Sequence, residues 1–405
     1  MTTPTLASFP APLEAAIIRS DDEALAVADT LALRFAEGAA ARDRERRLPH
    51  AELDAFCASG LWGITVPRRF GGAGVSCATV AKVIARIAQA DGSLGQIPQN
   101  HFYALEVLRV NGSEAQQQRL FGEALQGRRL GNALAEFTPR DSQQRTTALR
   151  KGPGGWTIHG QKFYATGALF AQRIPTSVVD EQGVQHMAFL PRDAEGLEVI
   201  DDWSGFGQRT TGSGSVLLHN VPVAPEDVVP FQASFERPTS VGPFAQILHA
   251  AIDIGIARGA YEATVAFVRE RARPWPDSGV DAAHQDPLTL QEIGQVAIAL
   301  HAAEAVLARA GAHLDIAREA PDAQSVAAAS LSVAAARALG TDASLLAGNK
   351  LIELGGARAA LAEDGLDRFW RNARVHTLHD PVRWKYHAIG NYHLNDQLPP
   401  RKGYL

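Results

Sequence analysis

Sulfur is scarce in this chain: 405 residues carry two cysteines and two methionines. Cys57 and Cys77 are too few for a disulfide framework or a four-thiolate metal site. Each is expected as a small buried apolar residue, and no metal site is expected. No basic block and no aromatic-basic interleaving is present to track a phosphate backbone, and the formal net charge of −5 has both signs interspersed, so nucleic acid is not an expected partner. No window approaches about eighteen uninterrupted apolar residues, and the N-terminal stretch lacks a basic start followed by a long apolar run. No membrane span is expected, and the chain reads as cytoplasmic. A G-x-G-x-x-G turn opening a helix after a strand is also missing, as are internal repeats and low-complexity tracts. Methionine is normally a favoured gap-filler in cores. Its scarcity has two readings: alanine-rich compositional drift, or a protein made when sulfur is limiting.

The residues that are present, 46% hydrophobic and 20% charged, describe a globular protein with a large core. Ala and Leu at three- and four-residue spacing, punctuated by Gly60, Pro67 and Gly71-Gly72, predict a helical domain over 21–130 after an arm over 1–20. Short β-rich runs such as Trp156–His159, Met187–Leu190 and Ser215–Leu218 predict a middle β domain over 131–240. Long Ala/Leu stretches then predict a helical bundle over 241–395, followed by a tail over 396–405. Between Arg273 and Pro287 three prolines interrupt the helical pattern, and the loop carries Trp275. It is long enough to be a binding loop.

Several motifs stand in order along the chain: Gly60-Leu61-Trp62-Gly63-Ile64-Thr65-Val66-Pro67 leading to Gly71-Gly72-Ala73-Gly74, Gly207–Ser213 through Asn220-Val221-Pro222, Leu354-Gly355-Gly356, and Arg371-Asn372-Ala373-Arg374. Together they resemble the acyl-CoA dehydrogenase superfamily. The implied fold is mostly α with a middle β domain, in which a small β-barrel or sandwich lies between an N-terminal helical domain and a C-terminal four-helix bundle. Asn132 after Gly131, Trp203 within Asp201–Arg209, the pair His376 and His379, and Trp384–Tyr392 are more similar to the superfamily's flavin-dependent monooxygenase branch, whose members act on dibenzothiophene or serve sulfone use.

That resemblance implies a two-component monooxygenase that oxygenates a small organosulfur compound with O2 through a flavin C4a-hydroperoxide, for sulfur acquisition. His101, Asn132 and His379 would position and protonate the peroxide, with His376 beside them. Histidine donates or accepts near neutral pH, although a lone histidine in an apolar helical run, as at His101, is equally read as a satisfied core residue. Tyr164 and Thr166, within Lys162–Gly167, would contact the flavin ring together with Trp203. Gly355, Gly356 and Arg371 would bound it, and Arg271 would clamp its phosphate from a neighbouring subunit. Tyr103 and Trp275 would line the substrate site. Ile352 stands where dehydrogenases place a glutamine at the adenine half of FAD, so FMN is expected, reduced to FMNH2 by a separate NAD(P)H-flavin reductase. A homotetramer is implied.

Two alternatives remain at this level. An FAD-dependent acyl-CoA dehydrogenase would use Asp380 as base, although Pro381 and Val382 replace the glycine and threonine that follow the base in that family. A non-catalytic flavin-binding or scaffold protein would explain Leu105 standing where a tyrosine is expected one turn after His101.

Overall fold

In the computed structural model, which describes residues 14–137, 146–152 and 155–405, six helices come first. They are α1 (Asp21–Ala36), α2 (Ala39–Glu45), α3 (His50–Ala58), α4 (Cys77–Ala90), α5 (Gly92–Asn111) and α6 (Glu114–Leu125). Most of the arm expected over 1–20 lies outside the described residues. Short polar residues set the helix starts. Ser20, Ser76 and Asp91 each accept from amides that α1, α4 and α5 would leave unpaired, and Ser113 with Gln116 closes a reciprocal box on α6. Such a cap is worth about 1 kcal/mol.

The middle region is the expected β domain, a seven-stranded sheet. Its strands are β1 (Ala148–Gly152), β2 (Gly155–Lys162), β3 (Arg173–Val179), β4 (Gln185–Pro191), β5 (Leu197–Ile200), β6 (Ser215–Val223) and β7 (Val228–Pro230), in the order β5-β6-β2-β1-β3-β4-β7. The pairings are antiparallel except for the short parallel contact of β1 with β3 at Ala148 and Val179. Met187, Phe189 and Val229 share a core with Val107, Leu108 and Phe121, which joins the sheet to α5 and α6.

After a short helix α7 (Ala233–Glu236), the bundle is built from α8 (Val241–Glu270), α9 (Pro287–Glu319) and α10 (Ala323–Gly355), closed by α11 (Asp367–His376) and α12 (Arg383–Asn395). Leu300, Leu307 and Leu314, seven residues apart, are buried along α9. By length and mean hydropathy α9 could cross a membrane, yet it packs on α8 and α10 in the bundle. At Gly255 and Gly259 of α8, an added Cβ would lie 2.3 and 2.4 Å from the carbonyl oxygens of Ala85 and Gln89, so the absent side chains let α4 cross in contact. The first twenty residues of α8 are almost all buried. Gln246, His249 and Asp253 lie among them, and buried polar groups of this kind need partners to offset lost hydration.

Candidate functional site

An aromatic wall stands at the edge of the sheet. Tyr164 has φ of +52°, a conformation that costs a residue with a Cβ about 1–3 kcal/mol. Its carbonyl is held by Asn132 Nδ2 at 3.0 Å and by the Thr166 amide at 2.8 Å. Asn132 Oδ1 in turn accepts from the Leu134 amide at 3.1 Å. The amide of Asn132 is therefore spent on shaping the backbone, and the Tyr164 ring is pushed outward, 49% exposed. Phe137, Phe163 and Trp203 surround it at centroid distances of 5.7, 4.6 and 6.1 Å. Behind the ring, Thr166, Ser213 and Thr211 form a hydroxyl ladder with steps of 2.7 Å.

The Trp203 loop is pinned from both sides. The indole Nε1 donates to the Gln208 carbonyl at 2.9 Å, and the Gln208 amide donates to Asn372 Oδ1 at 2.7 Å. Arg371 donates to the Phe206 carbonyl at 2.9 Å and is ion-paired with Asp43 and Asp367. Through these bonds α11 sits against the aromatic wall, and one turn beyond Asn372 it delivers His376.

A polar seam begins there. His376 is fully enclosed, with Nδ1 2.5 Å from Asp253 Oδ1 and Nε2 3.1 Å from His249 Nδ1. Asp253 also forms an ion pair with Arg337. His379 stacks over His249 at a centroid distance of 3.9 Å and keeps 46% of its side chain exposed. It is the histidine of the seam that reaches solvent. Burial drives His249 and His376 towards the neutral form.

Asp380 lies at the outer end of this seam. Its Oδ2 accepts from Gln246 at 3.0 Å and His379 Nδ1 at 3.2 Å, with Arg337 and Lys385 each at 3.9 Å. Burial alone would raise the carboxyl, but His379, Lys385 and Arg337 hold it well below the usual carboxylate range. A carboxylate so surrounded by donors is a poor base, which removes the support for Asp380 in α-proton abstraction. Lys385 is itself drawn down to about 8 by burial against the pull of Asp380.

Other expected residues fall elsewhere. His101 accepts from the Leu130 amide at Nδ1, 3.1 Å, and its Nε2 therefore carries the proton donated to the Trp62 carbonyl at 2.8 Å. Both of its nitrogens are engaged by backbone, and it has no exposed surface. Burial lowers it to about 4. Tyr103 is buried against Phe231, with ring centroids 6.4 Å apart. Arg271 pairs with Asp364 at 2.7 Å, Gly355 packs against Phe267, and Trp275 is exposed on its loop. Along α8 this group is roughly 33 Å from His249, so one protomer does not bring it to the seam. A groove of about 280 Å³ between Phe235, Val326 and Leu398–Arg401 contains none of these side chains.

His249, Asp253, Arg337, Gln246 and Lys385 were not expected. Gln246, His249 and Asp253 were nonetheless visible as a polar stripe at spacings of three and four within an apolar run, one face of a helix.

Residues 23–128 match the acyl-CoA dehydrogenase N-terminal domain and residues 247–384 the acyl-CoA dehydrogenase C-terminal domain. The chain belongs to the acyl-CoA dehydrogenase superfamily, in its flavin-dependent monooxygenase branch. It is 34% identical over 396 residues to the dibenzothiophene monooxygenase of Rhodococcus qingshengii, covering 94% of this chain and 95% of that one. It is 32% identical over 384 residues to a Pseudomonas putida protein named Probable FMNH2-dependent monooxygenase SfnC, covering 93% and 96%. The crystal structure of FMN-bound TdsC from Paenibacillus sp. A11-2 superposes with a TM-score of 0.90 at 32% identity, covering 94% of this chain and 100% of that one.

Proposed function

We propose that this protein is a two-component monooxygenase that uses reduced FMN and O2 to oxygenate a small organosulfur compound in the cytoplasm, serving sulfur acquisition. The observation that carries the reading is the contrast between Asp380 and His379. The carboxylate a dehydrogenase would need is sealed under Gln246, His379, Arg337 and Lys385, while the neighbouring imidazole keeps 46% of its side chain exposed. One relative is named as FMNH2-dependent, and a separate flavin reductase would supply the reduced flavin.

The residues fit a flavin. Half-exposed Tyr164, with partly buried Trp203 beside it, would offer an aromatic face to a planar ring, and the Thr166 and Ser213 hydroxyls would lie at its edge. Reduced FMN, when bound, supplies the electrons that activate O2. Asn132 would hold the Tyr164 wall in shape, and His379 would hold or deliver a proton at its Nε2.

Arg271, Trp275, Gly355 and Gly356 would complete the site from a neighbouring subunit in a homotetramer. Their distance from the seam supports this, as do the exposed apolar residues Leu288, Leu290, Ile298 and Ile316 of α9 and Trp384 and Leu394 of α12.

The test couples the protein to a flavin reductase with NADH and FMN under ¹⁸O2 and offers dibenzothiophene and small aliphatic sulfides and sulfones. One ¹⁸O atom is expected in a product. Hydrogen peroxide as the only outcome with every sulfur compound, or anaerobic bleaching of the oxidised flavin by an acyl-CoA, would overturn the reading.

A further inference from the structure

The interior behind His379 holds more acid–base groups than one exposed imidazole requires. Asp253 is fully buried and ion-paired with Arg337, so its oxygens face donors on both sides. His376 Nδ1, 2.5 Å from Asp253 Oδ1, must then carry a proton and donate it. A neutral His376 protonated at Nδ1 has a bare Nε2, so the proton across the 3.1 Å contact belongs to His249 Nδ1. That assignment leaves His249 Nε2 bare, and no hydrogen bond reaches it among the described residues. His379 covers the same ring and is itself open to the site.

We propose that His249, His376 and Asp253 form a buried proton relay behind His379. A proton taken up at His249 Nε2 releases the Nδ1 proton to His376 Nε2, and the positive charge comes to rest on His376 beside Asp253. The reverse sequence returns one proton to the His379 side. Only N–H bonds form and break, and the unit gains or loses a single proton. The inference rests on the monooxygenase reading above, since a site that reduces O2 needs a proton source inside the protein.

The charged and titratable groups facing the histidine pair are Asp253 of α8, Arg337 of α10, His379 and Asp380 beyond α11, and Lys385 of α12. Burial, followed by His379, Arg337 and Lys385, disfavours charge on His249, while Asp253 opposes burial at His376. The resting pair is thus neutral, and an arriving proton is drawn inward to the ring that has a carboxylate. His249 and Asp253 act through His376 and His379 and are positioning residues.

Two variants separate a relay from a packing role. His249→Asn places an amide nitrogen near the position of Nδ1, keeping a donor for His376 but passing no proton on. His249→Phe keeps the ring and removes the bond. ¹⁵N-histidine NMR of the flavin-free protein reads the relay without turnover. At neutral pH, His376 is expected to be protonated at Nδ1 only, and on acidification both rings should move with one shared midpoint. In the FMN-loaded enzyme, His249→Asn is expected to raise the fraction of reduced flavin lost as hydrogen peroxide by about tenfold, to shift the acid limb of the pH profile, and to change the substrate KM by less than about twofold. Independent titration of the two rings, or an unchanged peroxide yield and pH profile in His249→Asn, would overturn the relay. If neither variant folds, the wild-type titration decides. Failure of that titration sinks the relay alone, whereas absence of oxygenation by the wild type sinks the functional reading.

Discussion

His101 and His249 are both histidines buried in long, largely apolar helices, and burial draws both to the neutral form. They differ in what they touch. His101 gives one nitrogen to a carbonyl and the other to an amide, neither of which can exchange a proton near neutral pH, so its tautomer is locked. His249 touches another imidazole, which can take a proton and share its charge with a neighbouring carboxylate. Burial therefore does not decide whether an interior histidine ties the fold together or serves chemistry. The titratability of its partners does.

The severest test of this contrast is Asp253→Asn. It leaves the buried Arg337 without its main counter-charge and deprives His376 of its acceptor, and breaking such a pair costs about 3–5 kcal/mol. Urea unfolding at neutral pH should show that loss. A variant within about 1 kcal/mol of wild type would break the claim that the seam is an ionic unit.

Next in size is the pH response of His101. Its folded value of about 4 lies below the ordinary 6.5, so between these the unfolded chain binds more protons. The stability it contributes is complete above about pH 6.5 and is lost as pH falls towards 4, by about 3 kcal/mol in all. Comparing urea midpoints across this range, His101→Gln should be less stable than wild type at pH 7 and show a flatter acid slope. The pH profile of turnover should keep its shape, because no proton passes through this residue.

The smallest expected effect sharpens the same contrast at the surface. Tyr164→Ala removes an exposed ring whose packing supports little of the core, so unfolding should change by less than about 0.5 kcal/mol. Flavin affinity, read by fluorescence titration, should fall by up to about tenfold, the worth of one aromatic stacking contact.

The succession of helices, sheet and bundle was legible because the periods of 3.6 and 2 are local properties of the chain. The four polar caps at Ser20, Ser76, Asp91 and Ser113 are equally local. The strand order was not legible, since it depends on pairings between distant segments, such as β2 with β6.

At the candidate site, the sequence by itself marked His376 and His379 and the Tyr164 and Trp203 aromatics, through motifs written in order along the chain, and it did not mark the polar stripe on α8. It could not assign roles. His101 binds groups 39 and 29 residues away, Asp253 meets Arg337 at 84 residues' separation, and Gln246 reaches Asp380 at 134. Only the tertiary structure brings those atoms to hydrogen-bonding distance. It alone made one histidine a fastener, sealed Asp380, and joined His249, His376 and Asp253 into a seam opening at His379.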